Sequence, residues 1–238
     1  MPSASNPAGP RALPQSDDGP MRLQAPTSDP GRALTTASTT ASAAIARCRA
    51  ILRRYPLQLR LEPAAQPRYF EMDVRFFAPV PVPIAWEAMT DYNAMASYMP
   101  GMERSEVLAT DGDSLQVLQA GRGGIMPFRV TLHSTLEITL RGHIATWFTT
   151  HGNLDSQGRA EVRAQTGGSA VHYAAQLHPR IWLPPLLGPW FMRKQLQQQM
   201  TALRARMCAL LGAADASKAG ASATTTSMRP APAQAPAG

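Results

Sequence analysis

Five histidines, His133, His143, His151, His172 and His178, are the first places to look for a metal site or a general base. No two of them stand at the i, i+2 spacing of a strand face or the i, i+4 spacing of a helix face that a shared ion needs. His172 and His178 share a strand face but lie roughly 20 Å apart at strand rise. His133 and His172 fall on the polar faces of their strands, so solvent exposure rather than ligation is expected. Asp91 is the most tempting carboxylate, but it follows one short helical pattern and precedes another, the position of an N-cap. The stretch "GRGG" (121–124) lacks the Gly-Lys-Ser/Thr ending of a phosphate loop and reads as a hairpin turn. No serine or cysteine has a base partner at usable spacing. Cys48 and Cys208 form neither a disulfide framework nor a metal-ligand pattern and read as ordinary thiols, which suits a reducing compartment. No catalytic residue, metal or cofactor is expected.

The elements that would position a site follow from periodicity. "RYFEMDVRFFAPV" alternates Met72, Val74 and Phe76 with Asp73 and Arg75, a half-buried strand. "PVPIAWEAMTDY" places Pro83 in a first helical turn and Trp86 and Met89 on one buried face. A second short helix then runs to Pro100-Gly101. "AWEAMTDYNAMASYMPGM" (85–102) thus reads as paired short helices, with Tyr92, Tyr98 and Met99 at the rim of a site. Strands follow, with turns expected at Asp111-Gly112, Gly123-Gly124 and Arg141-Gly142. In "FRVTLHSTLEITL", Val130, Leu132, Leu136, Ile138 and Leu140 share one face; in "SAVHYAAQLHP", Val171, Tyr173, Ala175 and Leu177 do. Finally Met192, Leu196, Met200, Leu203, Met207 and Leu210 form the stripe of a long amphipathic helix, with Arg193, Lys194 and Arg204 facing away and Gly212 stopping it.

These elements predict an α+β fold: a curved antiparallel sheet of about seven strands, two short helices and one long C-terminal helix. One helix covers only part of such a sheet, which leaves room for a hydrophobic cavity. The expected organisation is a low-complexity leader over 1–65 without structure, a domain over 66–212 and a disordered tail over 213–238. All four Trp and all six Phe fall between Phe70 and Phe191.

The net charge of +7 would fit a nucleic-acid partner, yet residues 66–212 hold 13 Arg or Lys against 11 Asp or Glu, so no basic footprint is expected on the domain. The leader is different: Arg47, Arg49, Arg53 and Arg54 lie in "ASAAIARCRAILRR", which reads either as filler or as a short amphipathic helix able to rest on anionic lipid. No run approaches the ~18 apolar residues of a membrane span. The chain's 21 Arg against two Lys, with heavy Ala and Pro use, reads as a GC-rich bacterial origin. The expected location is cytoplasmic, with peripheral membrane contact.

Three stretches resemble the START-like (SRPBCC, helix-grip) superfamily, in its polyketide cyclase/dehydrase and coenzyme-Q-binding branch. They are "VPIAWEAMTDYNAMASYMPGMERSEVL", "MPFRVTLHSTLEIT" and a proline-rich crossover, "HPRIWLPPLLGPW", ahead of the terminal helix. The resemblance covers about residues 69–211. It implies a cavity under the long helix that takes a hydrophobic small molecule such as a quinone, lipid or polyketide, and it carries over no catalytic residue.

The candidate lining residues are Tyr98, Met99, Phe128, Leu132, Leu136, Phe148, Tyr173, Trp182, Phe191, Leu196 and Met200, with Trp182, Trp190 and Phe191 forming a lip. The leading functional reading is non-enzymatic binding or transport of a quinone, isoprenoid or other lipid. The alternatives are an aromatase/cyclase-type enzyme acting on a polyketide, which would need an Arg, a Tyr and a His or carboxylate to converge inside, and a protein-interaction module.

Overall fold

The computed structural model describes residues 30–64, 69–125, 128–181 and 188–226, with side chains from 38 onward except at 124–125, 128–129, 220 and 222–226. In chain order the elements are α1 (Pro30–Arg54), β1 (Gln58–Pro63), β2 (Phe70–Ala78), α2 (Val82–Thr90), a 3-10 turn (Tyr92–Ala94), α3 (Met95–Tyr98), β3 (Met102–Asp111), β4 (Ser114–Ile125), β5 (Phe128–Arg141), β6 (Ile144–Gly152), β7 (Leu154–Gln165), β8 (Gly168–Pro179) and α4 (Gly188–Thr226).

All eight strands form one antiparallel sheet in the order β1-β2-β8-β7-β6-β5-β4-β3. Strict alternation drives it. In β2, Phe70, Met72, Val74, Phe76 and Ala78 are buried while Glu71 and Arg75 face solvent, and β8 does the same with Val171, Ala175 and Leu177. A period of two puts every second side chain on one face, so that face must be covered. The long strands curl at register shifts in β3 and between Thr135 and Leu136 of β5, where an extra residue bends the ladder. α4 crosses the apolar face, burying Met192, Met200, Leu203 and Met207 against it.

The sheet has one strand more than expected, and the extra one comes from the leader. Leu57, Leu59 and Leu61 alternate and pack on the core from β1. The leader also contributes α1, whose Ala44, Ile45, Cys48 and Leu52 lie on one side. This helix runs antiparallel to α4 and packs along it, and β1 follows as the edge strand of the sheet. Ile45 meets Gly212, where any Cβ would fall 2.6 Å from Ile45 Cγ1. Cys48 and Cys208 are disulfide-bonded across 160 residues of chain. Arg204 Nη2 donates to the carbonyls of Leu52 at 3.2 Å and Tyr55 at 2.5 Å, satisfying orphan carbonyls at the end of α1. Arg193 Nη2 donates to Leu59 O at 3.4 Å.

Four expectations are corrected by this strap. The leader is not without structure over residues 30–64. The two cysteines are not free thiols, because α1 brings them together. Arg204 does not face solvent; it is 7% exposed, since it is enclosed between the end of α1 and β2, where the Phe76 ring lies 5.7 Å away. Gly212 does not end α4 either. Its missing side chain is what allows α1 to approach, and the helix continues into the expected tail as far as Thr226.

The turns at Gly112 and Gly142 are present, with φ of 55° and 59°. The turn expected at Gly123-Gly124 is not: both lie inside β4, paired with Val130 and Arg129 of β5. Asp91 is the N-cap as expected, its Oδ1 accepting from Ala94 N at 3.3 Å. Met89 is buried, whereas Trp86 is only half-buried, its ring edge-on to His143 at 5.7 Å.

Candidate functional site

A cavity of about 160 Å³ lies between the first half of α4 and the sheet. Its roof is Phe191, Met192, Gln195, Leu196 and Gln199; its floor is Leu132, Leu154 and Leu177, with Gln119 and Ser134 at the side. The glycines of β4 determine how closely the roof approaches. The Phe191 ring occupies the place a Cβ on Gly123 would take, and a Cβ on Gly121 would run into the carbonyl of Gly101. Glycine in a strand interior marks such a close approach. The "GRGG" stretch is thus part of the cavity wall.

The short helices close the near end. Gln195 Nε2 donates to Pro100 O at 2.6 Å, and Gln199 Nε2 reaches the same oxygen at 3.5 Å. Gly101 follows at φ 79°, a left-handed conformation that turns the chain into β3. The loop after α3 is therefore pinned to the roof helix by two amides.

Several polar wall atoms have partners in the protein. Ser134 Oγ donates to Leu154 O at 2.6 Å, and Gln119 Nε2 reaches Ser105 Oγ at 3.5 Å. Among the described wall residues only Arg122 and His133 are titratable. Both are exposed, because their strand neighbours Gly121, Leu132 and Ser134 take the inward positions. Arg122 pairs with Glu103 at 3.3 Å outside. Such walls can hold an apolar molecule, and the described residues direct no acid or base at it.

A second group sits deeper, under α2 and α3. Tyr92, Tyr98 and Tyr173 are mutually close, and burial pushes each phenol up, Tyr98 to about 12. Tyr98 donates to Ala88 O at 3.0 Å, and Arg206 lies over its ring at 5.7 Å while reaching Asp91 at 3.6 Å. These phenols stay neutral and pack α2 and α3 onto the sheet.

Of the expected lining residues, Leu132, Phe191 and Leu196 meet in the cavity wall. Met99, Leu136 and Met200 are buried in the adjoining core, and Tyr98 and Tyr173 belong to the phenol group. Phe148 is a correction: it is 49% exposed on the outer sheet face, because Trp147 and Thr149 take the inward positions of β6. Trp182 and the side chain of Phe128 lie outside the described residues. Gln119, Ser134, Leu154, Gln195 and the two β4 glycines were not anticipated. A wall drawn from five strands and a helix has no signature in any one of them. The leucine alternation of β1 was a signal that could have been read.

Elsewhere, Asp73 accepts from His172 at 2.8 Å. Burial pulls its carboxyl up, but hydrogen bonds from His172 and Arg75 outweigh this and hold it below the usual range. Among the described residues no three His, Cys, Asp or Glu side chains gather as a metal site would require, and no helix is long and apolar enough to cross a membrane.

The fold is similar to that of the STAR-related lipid transfer protein from Xanthomonas axonopodis, with TM-score 0.53 and 15% identity over 63% of this chain and 93% of that one. It is also similar to human StAR-related lipid transfer protein 5, with TM-score 0.51 and 9% identity over 73% of this chain and 97% of that one. No curated protein sequence matches the chain. α1 and β1 lie outside the stretch that carries the family signal. That stretch, residues 69–208, matches the family described as polyketide cyclase / dehydrase and lipid transport, and the chain belongs to it.

Proposed function

We propose that the protein binds an uncharged apolar molecule beneath α4 and carries it without chemical change. The observation behind this reading is a mostly apolar cavity whose titratable wall residues, Arg122 and His133, are exposed to solvent. A cyclase would need an acid or base directed inward, and the two titratable wall residues point out. The family description names lipid transport, and the two structures of like fold are called lipid transfer proteins.

The volume narrows the cargo. Drug-sized ligands occupy roughly 300–1,000 Å³, while an apolar cavity of about 150 Å³ holds a single benzene ring. A cavity of about 160 Å³ therefore takes one ring or one short chain segment. A quinone or other isoprenoid lipid fits if its ring enters and its tail leaves past Phe191. The Cys48–Cys208 bond favours an oxidising compartment over the cytoplasm.

The test is native mass spectrometry of the protein recovered from its own cells, with solvent extraction of whatever is bound. A quinone or lipid that is lost in Leu132→Trp and Leu196→Trp, both of which fill the cavity, supports the reading. Protein that is empty, and stays empty when offered quinones and lipids, overturns it.

A further inference from the structure

The charges are segregated by layer in a way the linear sequence conceals. α1 and α4 together carry ten Arg or Lys and a single acidic residue, Asp215. The intervening segment 58–181, which forms the whole sheet, carries ten against twelve. Read along the chain, the basic leader and the neutral domain look unrelated. The strap folds α1 onto α4, so their charges add on one side of the molecule while the sheet side is slightly acidic.

Four of the cations of α1 are available. Arg47, Arg49, Arg53 and Arg54 are exposed, and none is paired with a carboxylate among the described residues. The apolar side of α1 is occupied by α4 and held by the disulfide, so the helix cannot roll over to hide them. Beyond the end of α1, the exposed face of α4 continues the band. There Lys194 lies 5.1 Å from the ring centre of Trp190, which is 51% exposed, beside exposed Arg193. Tyr55, 49% exposed, and Ile51, 38% exposed, stand among the arginines.

We propose that the helix layer, the outer face of α1 with the first turns of α4, is a docking surface for an anionic lipid bilayer. Cations supply attraction to acidic headgroups, each worth severalfold in affinity near the surface. Trp and Tyr beside Lys and Arg are the composition suited to the headgroup boundary. A nucleic acid would use the cations but gives no role to a half-exposed Trp at the roof of an apolar cavity. The choice of a bilayer rests on the carrier reading, since Trp190 is next to Phe191 of the cavity wall. Contact is peripheral: with its apolar side on α4, α1 lies on the headgroups rather than among the chains.

The test is co-sedimentation of the full chain with phosphatidylcholine vesicles, with and without phosphatidylglycerol. Binding is expected only with phosphatidylglycerol and should weaken at least tenfold between 50 and 300 mM NaCl. R47Q/R49Q/R53Q/R54Q should lose at least tenfold in affinity with its circular dichroism unchanged. R75Q/R141Q/R159Q/R163Q removes four charges from the sheet layer instead and should lose no more than twofold. Equal losses in the two variants, absent binding to anionic vesicles, or tighter binding to a DNA duplex than to vesicles would each overturn the proposal. Vesicle binding is read without cargo, so an empty cavity in native mass spectrometry does not alter its outcome.

Discussion

The ring of Phe191 fills the space that a side chain on Gly123 would occupy, and this one contact sets how low the roof helix can lie over the sheet. Gly123→Val should lift Phe191 and destabilise the protein by about 1–3 kcal/mol, the usual penalty for overpacking. Adding Phe191→Ala should recover more than half of that loss. Urea melts of the two single variants and the double variant give the coupling directly, and additive losses would mean the contact does not set the roof.

The disulfide is expected to be present in the protein as isolated, with no thiol available to a reagent in 6 M guanidinium without reductant. Cys48→Ala/Cys208→Ala should lower stability by about 2–5 kcal/mol, since the bond closes a very long loop. Hydrogen exchange should speed up most in α1. Two thiols per chain in protein trapped with acid from its own cells would place it in a reducing compartment after all.

Arg204 is buried with a full charge and no carboxylate beside it. Desolvation holds its guanidinium below the usual range, and the carbonyls of Leu52 and Tyr55 are its compensation. Arg204→Ala should destabilise by about 2–4 kcal/mol, because hydrogen bonds to a charged group and two helix-end carbonyls are lost together. Amide exchange at the end of α1 should rise in step. Arg204→Lys should rescue part of the loss, since one nitrogen, Nη2, makes both bonds and an ammonium also carries enough donors for two oxygens.

Alkali should reach the phenol group only by opening the fold. An unfolded phenol titrates near 10, and burial pushes Tyr98 to about 12, with Tyr92 and Tyr173 also raised. The folded state therefore holds these protons more tightly. Its stability is intact below about pH 10 and is lost as pH rises through 10 toward 12. Phenolate absorbance from these residues should appear together with the loss of ellipticity, and absorbance that precedes it would show the ring hydroxyls to be accessible in the native state.

Glycine shows how sequence signals divide. Gly112 and Gly142 are turns with positive φ, as Asp-Gly and Arg-Gly between alternating strands imply. Gly123 and Gly212 carry the same letter and do something else: each makes room for a neighbour, Phe191 in one case and Ile45 in the other. Nothing within a few residues distinguishes the two uses, because the neighbour that requires the space comes from a distant part of the chain.

The sequence by itself determined the strand alternation, the stripe of α4, the Asp91 cap and the sheet-and-helix class, all consequences of periods of two and 3.6 that repeat within a dozen residues. Leu132, Phe191 and Leu196 were legible as cavity residues because each lies on an apolar face. The partnership of α1 with α4 was decided by tertiary structure alone. Cys48 and Cys208 are ordinary residues 160 positions apart, Arg204 reads as a surface cation, and the arginines of α1 read either as filler or as the polar side of a helix on anionic lipid. Only when the strap lies along the roof helix do the cysteines bond, the arginine become buried, and the charges gather on one face. Burial and electrostatics depend on distance in space, which local periodicity does not encode.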